Sequence, residues 1–318
     1  MDVLTDYRVI DLTDEKGMFC AKILADMGAG VTRINVEKGE DRARFHDLVK
    51  TADVIVESHA PGYLVSLGLG YDKFGAINPG LIMASITPFG QSGPYRDFYS
   101  SDLVAQALGG WMSVTGLPDS PLKLPGDQSY RIASLFAVNG ILLALWQRHA
   151  TGRGQYIDIS IMECVTATLD HVLVRYFYEG IVSGRKGSLH WNGAFRVFRC
   201  KDGYVLLSLF RQWETLVEWL GSEDMAGDLA NPRWRDREER MRGLDHIIEV
   251  LERWTLVHTT AEIVENGQLM HFPWAVVVRP PDLPGVPQMV ARRFFTETEY
   301  GGRKYRAPGS PLRMESIG

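Results

Sequence analysis

The sequence predicts an α/β fold whose large domain is built on a doubly wound, mainly parallel sheet. Two observations favour it. The β-rich run YRVIDL (residues 7–12) is followed by the helical stretch MFCAKILADMG and by a second β-rich run, VTRINV (31–36), which together form a right-handed βαβ unit. Two further apolar runs, separated by a helical segment, continue this alternation, and that is the pattern of a doubly wound sheet.

Each element of the first part of the chain has a local signal. Strands are predicted where apolar and β-branched residues cluster, at 7–12, 31–36, 53–58 and 81–86. The turn after the first strand reads TDEKG and lacks the glycines of GxGxxG, so a dinucleotide site is disfavoured. Gly28 and Gly30 follow the first helix, where glycine commonly ends a helix.

Further elements are predicted behind the Gly/Pro-rich segment 88–94. Helices are expected at 102–108, 132–149 and 161–178, with a strand at 156–160. The glycine-bearing segment 179–192 indicates a linker. FRVFRCKDGYVLLSL predicts a hairpin that turns at KDG, and helices at 212–220, 246–254 and 260–266 complete a smaller domain. We therefore predict a large domain at 1–178, a linker at 179–192 and a small α+β domain at 193–296.

Composition excludes several classes of protein. With 45% hydrophobic residues, 23% charged residues and a net charge of −5, the 318-residue chain is typical of a soluble globular protein and not of a nucleic-acid binder. Cys20, Cys164 and Cys200 are widely spaced, which favours buried thiols in a reducing cytoplasm over a metal site or disulfides. The N-terminus is acidic, unlike a signal peptide, and no apolar run approaches the roughly 18 residues of a membrane span. We expect a cytoplasmic protein.

Three motifs carry a family resemblance. TPFGQSGPYRDFYSSDLVAQALGG (87–110), SLFAVNGILLALWQR (134–148) and TGRGQYIDISIMEC (151–164) resemble the class III CoA-transferases, which include formyl-CoA and carnitine CoA-transferases and 2-methylacyl-CoA racemases. The resemblance implies a Rossmann-like large domain, a small α+β domain and two chains interlocked as a dimer. It also implies that residues 297–318, with GGRKYRAPGSPLRM, return to the large domain. No permanent cofactor is implied, because a CoA thioester is the substrate.

The resemblance implies an aspartate nucleophile, and this residue is missing from its expected place. In the family the aspartate attacks the acyl-CoA thioester to form a mixed anhydride, near the start of the helix that contains NGILLALWQR here. An ungapped count back from Gly140 reaches Ser129 or Tyr130, and neither can do this chemistry. Asp127 would reach the position only through a loop shift, and aspartate after Pro-Gly is also ordinary turn or N-cap chemistry. Racemases of the family use a histidine where Ser101 stands here.

The turn that corresponds to a CoA-binding motif of the family is also altered. Many members carry an ENFxPG-like turn, whereas this chain has ESHAPG (57–62), with Ser58 and His59 replacing an amide and an aromatic ring. Ser66 stands where a basic residue often contacts phosphate, and the stretch 37–53 is shorter than in the family. Phosphate binding needs cations or oriented backbone N–H groups. The nearby cations are Lys38, Arg42 and Arg44, and a run of this kind is more often a solvated helix face than a ligand site. We expect a degenerate CoA site at Lys38, Ser58 and His59.

The resemblance also implies a substrate loop in the small domain. In the family, a glycine-bearing loop closes over the active site, and SLHWNGAF (188–195) occupies the corresponding place. The candidate residues are His190, Trp191, Asn192 and Gly193. A linker end whose tryptophan packs into a domain interface is the alternative interpretation.

These expectations favour a non-catalytic or catalytically altered subunit of a heteromeric class III CoA-transferase. A homologous catalytic subunit would supply the aspartate and most CoA contacts. The reaction would move CoA from a thioester such as succinyl-CoA to a carboxylate such as benzylsuccinate. Two alternatives remain open: a self-sufficient homodimeric transferase that uses Asp127, and a scaffold or regulatory protein on the same fold.

Overall fold

The computed structural model describes residues 3–313, except for the side chain of Tyr300. These residues form two compact units. The first contains residues 3–115, 121–183 and 308–313, and the second contains residues 116–120 and 184–307. In chain order, the elements up to residue 183 are β1 (Arg8–Leu12), α1 (Met18–Asp26), β2 (Gly30–Arg33), α2 (Gly39–Val49), β3 (Val54–Glu57), α3 (Tyr63–Ser66), α4 (Tyr71–Ile77), β4 (Ile82–Thr87), α5 (Asp102–Leu108), α6 (Trp111–Val114), β5 (Gly116–Leu117), β6 (Ser120–Pro121), α7 (Gln128–Thr151), β7 (Tyr156–Ser160), α8 (Ile161–Ala167), α9 (Asp170–Val174) and a π-helical segment, Arg175–Glu179.

A parallel sheet in the order β2-β1-β3-β4-β7 forms the centre of the first unit. Successive side chains of a strand point to opposite faces. Val54 packs into a core cluster with residues of α1 and α7, whereas its neighbour Ile55 packs with Phe45 of α2 and Phe74 of α4. Both faces are therefore covered by helices, which confirms the predicted doubly wound α/β fold.

Helix α7 begins earlier than the sequence predicts. The prediction placed its start at residue 132, but the helix runs over Gln128–Thr151. Its first turn is polar in sequence and shows no apolar periodicity, yet Ser129 is fully buried because it bonds to Asp102. A tertiary contact therefore sets this helix start.

The helix predicted at 161–178 is interrupted after α8. The Thr168 hydroxyl donates to the Val165 carbonyl (2.7 Å) and accepts from Nε1 of Trp111 (2.7 Å). Such side-chain bonds to the preceding turn compete with the helical ladder. The chain resumes as α9 and then forms the π-helical segment.

Helix α7 is long and apolar enough to cross a bilayer by length and composition, with a mean hydropathy of 1.4 over an 18-residue window. The expectation that no segment approaches this length is wrong for α7. Half of the window is buried inside the structure. Ala133, Ala137 and Ile141 belong to the same core cluster as residues of β4. These contacts are those of a core helix.

The second unit contains the predicted hairpin, in which Phe198 pairs with Val205 and the Cys200 N–H donates to the Gly203 carbonyl (2.8 Å). Its sheet has the order β10-β9-β8, and its core is rich in tryptophan, with Trp254 and Trp274 nearly fully buried. The remaining elements, apart from short 3₁₀ turns, are β8 (Phe195–Arg199), β9 (Tyr204–Ser208), α10 (Trp213–Ser222), α11 (Arg237–Arg242), α12 (Leu244–Leu256), α13 (Thr260–Leu269), β10 (Ala275–Val276), α14 (Pro287–Ala291), β11 (Phe295–Tyr300) and β12 (Arg303–Pro308).

Candidate functional site

A crevice of about 230 Å³ lies at the carboxyl ends of β1, β2 and β3. Strand β1 has β2 on one side and β3 on the other, so the sheet order reverses at this point. Ligands of doubly wound sheets bind at such a reversal. Polar residues that follow all three strands line the crevice, namely Thr13, Asp14, Asn35, Glu37, Ser58 and His59.

Asp14 and Ser58 join the first and third strand ends. The Ser58 hydroxyl donates to Oδ1 of Asp14 (2.7 Å) and accepts from the Asp14 backbone N–H (2.9 Å). Burial raises the pKa of Asp14, but its bonds with Lys16 and Ser58 outweigh burial and hold the pKa below its usual value. The carboxylate in the crevice is thus ionised and already partnered.

His59 is held against the neighbouring carboxylate of Glu57. Its backbone N–H donates to Oε2 of Glu57 (2.8 Å), and its Nδ1 lies 3.4 Å from the same oxygen. The imidazole ring stacks on Tyr63, with ring centroids 5.1 Å apart. Ser58 and His59 of the predicted CoA turn therefore both line the crevice.

The cations lie differently from the sequence expectation. Lys38 is the exposed residue that precedes α2 and is not among the described residues that line the crevice. Arg42 turns its Nε to the Val36 carbonyl (2.7 Å), and the Ser66 hydroxyl bonds to Tyr63. The crevice is instead lined by Arg33, which the sequence analysis missed. The predicted strand runs to residue 36, whereas β2 ends at Arg33, so no sequence signal marked this position.

The guanidinium of Arg33 already has partners within the protein. Its guanidinium donates to the Thr13 carbonyl (2.8 Å) and lies 3.6 Å from the buried carboxylate of Asp11. Asp14 and Glu37 line the same crevice. Among the described residues, this balance of charge is poor for a polyphosphate, since anion binding depends on free cations or N–H donors.

The first turn of α7 carries the residues at the expected nucleophile position. Ser129 is fully buried and Tyr130 is 8% exposed. Burial, together with the nearby Asp102 carboxylate, raises the pKa of Tyr130 to about 12, so the phenol stays neutral at physiological pH. Asp127 is the exposed N-cap residue of α7, and its side chain makes no capping hydrogen bond.

A carboxylate does contact this helix start, but it comes from α5. Oδ1 of Asp102 accepts from the Ser129 hydroxyl (2.7 Å) and backbone N–H (3.0 Å). Oδ2 accepts from Gln106 (2.8 Å) and from Lys123 (2.8 Å). With both oxygens occupied and 5% of the residue exposed, Asp102 fixes α7 and is a poor nucleophile. The position before it holds Ser101, which caps α5 through its hydroxyl.

The predicted substrate loop forms a tight turn in the second unit. The Gly193 N–H donates to the His190 carbonyl (2.9 Å), and Gly193 has a φ of 74°, which suits glycine. Oδ1 of Asn192 accepts from Ala194 N–H (2.9 Å) and lies 2.7 Å from Nδ1 of His190. Trp191 is 37% exposed. The turn holds these four residues together, with Gly193 buried and the other three exposed.

The cysteines are not equipped as nucleophiles. Burial raises the pKa of Cys20 and of Cys164 to about 12 and that of Cys200 to about 11. Within residues 3–313, no cluster of three or more His, Cys, Asp or Glu side chains could hold a metal ion.

Comparison with known proteins identifies the family of this chain. The profile of CoA-transferase family III matches residues 33–317. The chain belongs to this family. The family profile and the relatives named below are those of CoA-transferases, so the resemblance stated from the motifs is confirmed.

Three curated relatives of the chain have names that specify succinyl-CoA as a substrate. A subunit of succinyl-CoA:(R)-benzylsuccinate CoA-transferase from Thauera aromatica is 29% identical, over 98% of this chain and 88% of the relative. Succinyl-CoA:mesaconate CoA-transferase from Haloarcula hispanica is 30% identical, over 99% and 90%. The beta subunit of succinyl-CoA–L-malate CoA-transferase from Chloroflexus aurantiacus is 32% identical, over 83% and 75%.

Solved structures of the family share the fold. A CaiB/BaiF family protein from Brucella suis aligns with a TM-score of 0.86 and 25% identity, over 98% of this chain and 93% of that one. A protein from Mycobacterium tuberculosis aligns with a TM-score of 0.82 at 20% identity, over 99% and 94%, and this likeness concerns the fold alone.

Proposed function

We propose that this family III chain is the catalytically altered subunit of a heteromeric CoA-transferase. A homologous partner supplies the nucleophilic aspartate and holds most of the CoA thioester. Residues 1–178 form the domain that faces the acyl-CoA, and the loop residues 190–193, where the linker meets the small domain at 193–296, contribute to the site. The pair transfers CoA from succinyl-CoA to a dicarboxylic acid such as benzylsuccinate.

The observation that carries the proposal is the first turn of α7. Ser129 and Tyr130 stand where the family nucleophile is expected, and both are buried. A serine or neutral tyrosine cannot form the acyl anhydride that an aspartate forms. Asp102, the carboxylate that contacts this turn, accepts four hydrogen bonds and has no free oxygen.

The strand-end crevice supports the same proposal. Its cation, Arg33, is engaged by Thr13, and its carboxylates Asp14 and Glu37 would repel the phosphates of CoA. A chain with such a crevice would leave most of the CoA binding to its partner.

An apolar stripe on α7 supports a partner chain. Leu143 and Trp146 are 65% and 76% exposed, and Leu135 and Phe136 lie two turns earlier on the same helix. Exposed apolar side chains grouped along one helix favour a protein–protein contact. The names of two relatives describe subunits, which favours a partner chain. We propose that this partner is a homologous chain and that the two chains interlock.

Reconstitution tests the proposal. The chain should be purified alone and together with a family III homologue that carries aspartate at the start of its α7, and CoA transfer from succinyl-CoA to (R)-benzylsuccinate measured. We expect no activity from the chain alone and activity from the pair. Asp127→Ala in this chain should leave the activity of the pair unchanged, whereas loss of the homologue's aspartate should abolish it.

A self-sufficient homodimer that uses Asp127 is the second candidate. It is favoured by the exposure of Asp127 and by the absence of a capping bond to its side chain. Activity of the chain alone that is lost in Asp127→Ala would establish it. A stable complex without transferase activity in any pairing would instead support a scaffold or regulatory role.

A further inference from the structure

A second cavity in the first unit, of about 440 Å³, shares no lining residue with the strand-end crevice. Its buried end is formed by Glu57 of β3 with Met83 and Ser85 of β4, and its exposed end by Val65 and Lys73. The volume lies within the range of small-molecule sites in proteins.

Three glycines open this space. Gly62, Gly68 and Gly70 all line the cavity. Gly62 and Gly68 have φ values of 81° and 75°, which other residues rarely adopt, and a Cβ on Gly70 would lie 3.2 Å from Val65. Because these three positions carry no side chain, they leave room for the cavity.

The polar feature of the cavity is a buried carboxylate with an open oxygen. Glu57 is 4% exposed. Its Oε2 accepts from the His59 backbone N–H (2.8 Å), and Oε1 receives no hydrogen bond from the described residues. A buried carboxyl oxygen without a donor is costly, and a donor that entered the cavity would offset this cost.

Two tyrosines give the cavity an aromatic wall. The rings of Tyr71 and Tyr156 lie 5.6 Å apart and both line the space. Their hydroxyls are used inside the protein, because Tyr156 donates to Ser85 (2.9 Å) and Tyr71 to the Leu81 carbonyl (3.3 Å). Burial also raises the pKa of each phenol, so neither becomes an anion at neutral pH. Neutral rings beside a carboxyl oxygen that lacks a donor favour a cation on an apolar body.

We infer that this cavity is a binding site for a small primary amine with an apolar, ring-sized body. The ammonium group donates to the open oxygen of Glu57, and the apolar body lies among Met83, Leu64 and the two tyrosine rings. The exposed pair Asp72 and Lys73, which also lines the cavity, adds no net charge. The site therefore selects cations over anions of the same shape.

Three matched probes test the inference on the full chain: phenethylamine, phenethyl alcohol and hydrocinnamate. Titration calorimetry gives each dissociation constant, and amide chemical shifts of Gly68 and Gly70 report the place of binding. We expect the amine to bind about tenfold more tightly than the carboxylate, with shifts at both glycines. Equal binding of amine and carboxylate, or no binding up to about 10 mM, would overturn the inference.

Variants distinguish the effect of Glu57 on probe binding from a general effect of charge. The wild-type chain should bind the amine more tightly than the alcohol. In Glu57→Gln the two dissociation constants should differ by less than about twofold, since the hydrogen bond between ammonium and carboxylate is lost. Glu249→Gln, at an exposed position of α12, should leave the preference unchanged. Val65→Trp fills the exposed end at a residue that is 69% exposed, so it should fold and weaken all three probes. Unchanged amine affinity in Val65→Trp would contradict the site even if Glu57→Gln fails to fold.

Discussion

Asp102 shows how one buried carboxylate fixes a helix start. It accepts two bonds from Ser129, one from Gln106 and one from Lys123. Burial raises the pKa of this carboxyl, but the bonds to Lys123 and Ser129 outweigh burial and hold the pKa below its usual value. The ionised form is therefore the one that the fold stabilises.

Replacing Asp102 tests this role. Asp102→Asn removes the charge that pairs with Lys123, and we expect a loss of about 3 kcal/mol in unfolding free energy at neutral pH. Because the folded pKa lies below the unfolded one, the wild-type advantage is complete above about pH 4 and disappears as the pH falls through the folded pKa. Urea unfolding at several pH values measures both effects. The exposed Asp47, changed to Asn, is the control and should cause little change; an Asp102→Asn variant as stable as this control would contradict the assignment.

At the scale of elements, α7 and β7 are joined by a turn that lies against the backbone of the β4 segment. The Gly154 N–H donates to the Pro79 carbonyl (2.8 Å), and a Cβ at Gly154 would lie 1.8 Å from the Leu81 carbonyl oxygen. A backbone group cannot turn aside as a side chain can. Glycine at this position is thus needed to bring β7 beside β4.

Gly154→Ala should therefore destabilise the fold by about 3 kcal/mol or more, since the backbone must move to relieve the clash. Gly39→Ala is the matched control, because nothing lies within 4 Å of its added Cβ and it stands in helix α2. Thermal and urea unfolding compare the two variants. Equal stability of both would show that the turn tolerates a side chain.

At the scale of the assembly, the apolar stripe of α7 is the surface where we expect the partner chain to bind. Trp146→Glu places a charge on a residue that is 76% exposed, so the isolated chain should keep its stability. Its association with a homologous partner should weaken at least about tenfold, because a charge at an apolar interface core is poorly tolerated. Leu269→Glu, at a residue of α13 that is 79% exposed, is the control. Sedimentation velocity measures the association, and unchanged binding by Trp146→Glu would exclude this face as the contact.

For the whole molecule, the sequence predicts what local patterns determine. Strands β1, β3 and β4 are evident because they are rich in apolar residues that are buried. The α5 prediction agrees with the structure, in which Ser101 caps the helix. The start of α7 is not evident, since the burial of Ser129 depends on Asp102, 27 residues earlier in the chain. Long-range contacts of this kind leave no periodic signal.

Only part of the candidate site could be predicted from the sequence, because the rest depends on contacts between distant parts of the chain. Ser58 and His59 were found because their turn resembles a family motif. Arg33 was missed because its role depends on how β2 aligns with β1, which sequence spacing does not give. The cavity at Glu57 was missed because it arises from side chains on separate strands and from space left by glycines.

The most direct test of the central claim is intact-protein mass spectrometry of the reconstituted pair after brief exposure to succinyl-CoA. A covalent acyl or CoA adduct identifies the chain that carries the nucleophile. We expect the adduct on the homologous partner and none on this chain. An adduct on this chain, mapped to Asp127 and absent in Asp127→Ala, would contradict the claim that the nucleophile comes from the partner.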